Sequence, residues 1–228
     1  MPTKDSLPIN DNTVSRPIER YAGIYSVALS ARLVRLSLRH ARSYARRRGS
    51  DGRPWSEQPC HREYYLTFRD LMELRVARAL HKAGMLWEEV CDFARYDAAK
   101  FERKGHRLSG RQFLTEGHHR LSNAHTELEA LNAPIKYDGY GVPSRWDISL
   151  EWGISVLDAS VILDPRLSFG YPVLAGCHVP TYILHDALLA EDGDHHVVAK
   201  DYEVSVTQVR LAHRFETILQ ERHDAVPA

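Results

Sequence analysis

Apolar positions recur at helical spacing through most of the chain. Val27, Ala28, Ala31 and Leu33 follow Ser26, a helix-capping residue type, and predict a short first helix. A turn is expected at residues 34–36. Ser37 then caps a second helix running to about Arg48, with Leu38, Ala41 and Ala45 facing inward. Thr67 starts a third helix, with Asp70 three positions on as a capping-box analogue. Its stripe is Phe68, Leu71, Met72, Val76, Ala79, Leu80 and Ala83, and Gly84 ends it. A fourth opens at Leu86 or Trp87 and carries Trp87, Val90, Ala94, Ala98 and Phe101 on one face. These stripes read as the core of a packed helical hairpin, not as a cofactor box.

Between the second and third helices, residues 49–62 are Gly- and Pro-rich and read as a loop. Residues 63–66 have β-propensity and suit a small wing. Trp55 and Arg53 lie in that loop, where Trp55 either covers the core or meets a DNA backbone. Further strands are expected at 111–115, 146–150 and 156–163. The shift to Gly, Pro, Tyr and Asp over 137–146 marks the best domain boundary. Pro180 suits the first turn of a helix to about Leu189, Asp194 caps a short helix to Tyr202, and Ser205 caps a third. Val198, Tyr202, Val206, Val209, Ala212, Phe215, Ile218 and Leu219 supply the core of this trihelical unit. The expected fold is mainly α with short β-strands: a winged helix-turn-helix domain followed by a trihelical, helix-turn-helix-like one. The expected divisions are a flexible lead at 1–20, a DNA-binding domain at 21–125, a linker with short strands at 126–160 and the trihelical domain at 161–228.

Charge sharpens this picture. The 228 residues carry 30 Lys plus Arg and 30 Asp plus Glu, so the net charge is zero. A uniformly basic nucleic-acid binder is excluded; a segregated one is not. Residues 20–65 hold ten Arg, three acids and no Lys, while residues 126–228 hold seven basic and sixteen acidic side chains. Arg39, Arg42 and Arg46 recur at i, i+3 and i+7 and line one face of the second helix, with Arg35 just before them. Arg presents a planar fork of donors that fits phosphates and guanine edges. Ser37, at the start of the helix, would lie near a phosphate. The bland alternative is a solvated helix face rich in Arg.

Other chemistry has little support. The chain has no GxGxxG, GxxxxGK[ST], HExxH or GxSxG. His118–His119 and His195–His196 are adjacent pairs that do not share a helix face, so solvated or capping His is the simpler reading. No catalytic residue, cofactor or metal ligand is assigned, and a non-enzymatic role is expected. Cys60, Cys91 and Cys177 are odd in number and far apart, which fits a reducing cytoplasm better than a disulfide framework. No apolar run approaches the ~20 residues that span a bilayer, so no membrane association is expected.

Two stretches resemble a known family. Ala31-Arg32-Leu33-Val34-Arg35-Leu36-Ser37-Leu38-Arg39 through Tyr44 resembles the helix-turn-helix of MerR-like DNA-binding domains, with Arg35 where those have Gly. Ile162-Leu163-Asp164-Pro165, Gly170-x-Pro172-Val173-x-x-Gly176-x-x-Val179-Pro180, Val198-Ala199-x-Asp201-Tyr202 and Ser205-x-x-Gln208-Val209-x-x-Ala212 resemble the small trihelical domain of VapB-type antitoxins, with Cys177-His178 replacing the usual Thr-Arg. The order of the two resembles the larger, two-domain VapB antitoxins over roughly residues 25–115 and 137–216. That resemblance implies a homodimer that binds operator DNA, represses its own operon and neutralises a VapC-type PIN-domain ribonuclease toxin. The expected DNA-binding residues are Arg35, Ser37, Arg39, Arg42 and Arg46. The rival reading is a free-standing MerR-like transcription regulator without a toxin partner.

Overall fold

The helices begin where short polar side chains satisfy the first free amides. Ser26 accepts from the Leu29 amide at 3.1 Å and starts α1 (Val27–Leu33). Ser37 accepts from the His40 amide at 3.2 Å and starts α2 (Leu38–Arg48). Thr67 and Asp70 close a reciprocal capping box at the head of α3 (Phe68–Lys82), and α4 (Trp87–Tyr96) folds back on it. The structure, a computed structural model, describes residues 23–48, 65–96, 125–139 and 143–224. The expectations for 1–20, for Arg53 and Trp55, and for a strand at 111–115 lie outside the described residues. Among those described, the chain is mainly helical with short antiparallel strands.

Two short strands tie the first helices together: β1 (Tyr25–Ser26) pairs with β2 (Tyr65–Leu66). Residues 65–66 of the β-prone segment thus find their partner in Tyr25 and Ser26, at the start of α1. After α5 (His125–Ala130) comes a four-stranded antiparallel sheet in sequential order: β3 (Ile135–Tyr137), β4 (Pro143–Asp147), β5 (Val161–Leu163) and β6 (Val173–Leu174). A strand expected at 146–150 ends at Asp147. That carboxylate accepts from the Leu150 amide at 2.9 Å and from the Ser149 hydroxyl at 2.8 Å, and so caps α6 (Ile148–Trp152) instead. A strand expected at 156–163 is confined to 161–163, because residues 156–159 close a tight turn with Asp158 at φ 64. Three helices follow: α7 (Thr181–Ala190), α8 (His195–Asp201) and α9 (Val206–Asp224).

The buried side chains form one connected cluster. It runs from Leu33, Leu71 and Leu80 through Trp146 and Val161 to Val209 and Phe215. The expected division at 160/161 falls between β4 and β5, which are hydrogen-bonded neighbours. Residues 126–160 build Leu128, Trp146 and Trp152 into the shared core. Val198, Val209, Ala212 and Phe215 are buried as expected, but Tyr202, expected in the core, is 39% exposed. It sits past the end of α8, where its amide bonds the Val198 carbonyl and the chain turns away.

Candidate nucleic-acid interface

The α1–α2 turn is closed by backbone geometry. The Arg35 amide bonds the Arg32 carbonyl at 3.1 Å, and the Leu36 amide reaches the Ala31 carbonyl at 2.9 Å. This closure puts Arg35 in the left-handed region at φ 56, where Gly is free of strain and any other residue pays about 1 kcal/mol. Ser37 follows and is exposed, with its side-chain oxygen occupied in capping α2.

Helix α2 is sharply two-sided. Ala41, Tyr44 and Ala45 are buried, whereas Arg39, Arg42 and Arg46 are all exposed on one face. The inner side is fixed by aromatic contact. His40 stacks on Trp87 at 4.6 Å between centroids and 20° between planes, and His81 meets both rings edge-on. Burial, then the neighbouring His81 and Arg39, holds the His40 pKa below the ordinary imidazole value. The arrangement offers a row of three guanidinium groups carried by a rigid helix, suited to a polyanion.

Arg35 does not join that row. Its guanidinium carbon lies 4.6 Å from the centroid of the Trp152 ring, and Trp152 in turn stacks on Phe215 at 4.9 Å and 19°. The neighbouring residue on α6, Glu151, reaches α3. It binds Arg75 Nε, accepts from Trp146 Nε1 at 2.8 Å and lies 3.6 Å from Arg78. Arg75 is 1% exposed, donates to the Leu131 carbonyl at 2.9 Å and lies 5.1 Å over the Trp146 ring. Burial lowers the Arg75 pKa, and Glu151 opposes that shift. Sequence reasoning missed Arg75, Glu151 and Trp152. Their only signal was an acid among tryptophans, and their partners lie far away along the chain.

The C-terminal helices carry polar clusters of their own. His213 Nδ1 lies 3.1 Å from His185 Nδ1, the two rings stack, and His195 meets His213 edge-on. Burial first, then His185 and His195, lowers the His213 pKa. Glu216 is buried and accepts from the Thr181 hydroxyl; burial raises its pKa against that bond. Cys177 and His178 are exposed, with His178 at φ 59. Between β5 and β6, Ser168 and Phe169 are both left-handed, and Phe169 is 86% exposed. Gly170 follows, its carbonyl accepting from the Tyr25 hydroxyl at 2.8 Å; a Cβ there would meet that hydroxyl at 2.3 Å. Among the described residues, no three His, Cys, Asp or Glu are grouped to hold a metal ion, and no helix is long and apolar enough to cross a membrane.

This arrangement defines a mainly helical protein in which a short antiparallel sheet lies between an N-terminal and a C-terminal group of helices. The same fold occurs in the crystal structure of Rv2018 from Mycobacterium tuberculosis. That chain is 20% identical, with a TM-score of 0.64 over 82% of this chain and 95% of the other. No family model matches the chain, and no curated protein matches it.

Proposed function

We propose that this protein is a non-enzymatic DNA-binding antitoxin. It holds operator DNA through α2 and binds a VapC-type PIN-domain ribonuclease through its acidic C-terminal half, acting as a homodimer in the cytoplasm. The observation that carries the DNA part is the exposed row of Arg39, Arg42 and Arg46 on α2, the second of two short helices joined by a tight turn, within a segment of ten Arg and three acids. A dimer would present two such helices about one DNA turn apart. The toxin part rests on the resemblance of residues 162–212 to VapB-type antitoxins and on the acidic balance of residues 126–228, which suits a nuclease with a basic substrate groove.

The test is co-expression of the full chain with the adjacent gene, then purification and a mobility-shift assay on the DNA upstream. Co-purification of an inactive ribonuclease together with a shift is the expected result. A shift with no ribonuclease partner would make the protein a free-standing regulator. Absence of both the shift and the ribonuclease would refute both parts of the proposal.

A further inference from the structure

We infer that Arg35 is a positioning residue: its guanidinium, seated on Trp152, orients α2 against the body of the protein and does not touch nucleic acid. This rests on the proposed DNA-binding reading. The backbone supplies the first reason. Arg35 occupies a left-handed position that Gly fills without strain, so a long cationic side chain there is useful only for what its far end does. That far end is 4.6 Å from the Trp152 centroid, within cation–π range. The seat itself is immobile. Trp152 is 7% exposed and stacked on Phe215, and α6 is fastened to α3 by Glu151 through Arg75 and Arg78. The first residue of α2 is three positions beyond Arg35, and Arg46 lies eight further along a helix that rises about 1.5 Å per residue. A small pivot at the turn therefore displaces Arg46 more than Arg39 and spoils the register of the row.

The experiment measures binding of the full chain to a labelled duplex from the upstream region, across a salt series, together with thermal unfolding. The variants are Arg35→Gly, Arg35→Lys, Trp152→Leu and the Arg35→Gly/Trp152→Leu pair. Arg35→Gly should fold, since it relieves the left-handed strain, yet bind about tenfold more weakly, a loss of about 1.4 kcal/mol. Its salt dependence should keep the wild-type slope, because no phosphate contact is lost. Arg35→Lys, which keeps a cation over the ring, should restore most of the affinity. The pair should bind no worse than Trp152→Leu alone. A slope smaller by about one in Arg35→Gly would make Arg35 a phosphate contact and overturn the inference; unchanged affinity would overturn it as well. If the wild-type protein shifts no upstream DNA, the DNA-binding reading fails on its own account. The melting temperatures of the same four proteins then decide the seat: additive losses would show that Arg35 and Trp152 are uncoupled.

Discussion

At the turn between α1 and α2, Arg35 has φ 56 and the Leu36 amide reaches back to Ala31 at 2.9 Å; at the turn between α8 and α9, Glu203 has φ 53 and the Val204 amide reaches back to Ala199 at 2.9 Å. A serine follows each turn and caps the next helix, Ser37 on the His40 amide and Ser205 on the Gln208 amide. In this register Arg42 and Arg46 correspond to Arg210 and Arg214, all four exposed. The backbones are alike; the charge around them is not. The first unit sits in an Arg-rich segment, whereas the second is flanked by exposed Asp194, Asp201 and Glu203 and lies in the acidic half of the chain. Two helices joined by a tight turn therefore do not by themselves identify a nucleic-acid surface, and here the charge they display distinguishes the two.

The strongest way to break this comparison is to attack the core that the two units share. Glu151→Ala strands the buried Arg75 charge and should cost about 3–5 kcal/mol in denaturant unfolding. Phe215→Ala should cost a similar amount, about 3–5 kcal/mol, by opening a cavity beside Trp152. Both losses should appear in a single transition that carries both units. Two separate transitions, with only one of them shifted, would show that the units fold apart.

Acid should act on both units with one sign. His40 in the first and His213 in the second have pKa values lowered in the fold, by burial first, so the unfolded chain takes up their protons more readily. Stability from these residues is complete above the ordinary imidazole value of about 6.5 and is lost as pH falls below it. The groups facing His213 are His185 and His195, and Gln220 meets the other ring nitrogen of His185. Glu216, whose pKa is raised, works the other way: its cost to the fold fades as it takes up a proton at lower pH. Melting temperature followed from pH 7.5 downward should therefore drop first through the histidine range, and His213→Gln should reduce that drop. A flat profile there would contradict the lowered pKa values of these two rings.

The smallest effect separates the two turns. Glu203 and Arg35 both hold left-handed backbone, but Arg35 also holds Trp152. Glu203→Gly should raise stability by up to about 1 kcal/mol, while in Arg35→Gly the lost ring contact offsets that gain. Equal gains in the two variants would mean that the ring contact contributes nothing to the fold.

What the sequence made legible was local. Ser26, Ser37, Thr67 with Asp70, Asp194 and Ser205 all start helices as expected, because capping is a contact between residues two to four apart. The apolar stripe of α9 likewise marked Val209, Ala212 and Phe215 for the core. What stayed hidden depends on distant pairing. Arg75 looks like a solvent-facing residue of α3 until Glu151, 76 residues away, arrives beside it. Arg35 sat next to the arginine row in sequence, yet its side chain lies over a ring supplied by α6. Nor does the linear sequence register that β4 and β5, on either side of residues 160/161, are hydrogen-bonded neighbours.

The central claim is that α2, and not its backbone twin α9, holds DNA. The most direct measurement is the salt dependence of binding to the upstream duplex for Arg42→Ala and Arg210→Ala in the full chain. Arg42→Ala should weaken binding and lower the slope by about one, the signature of a lost phosphate contact, whereas Arg210→Ala should leave both affinity and slope at wild-type values. An equal loss in the two variants, or a loss confined to Arg210→Ala, would contradict the account.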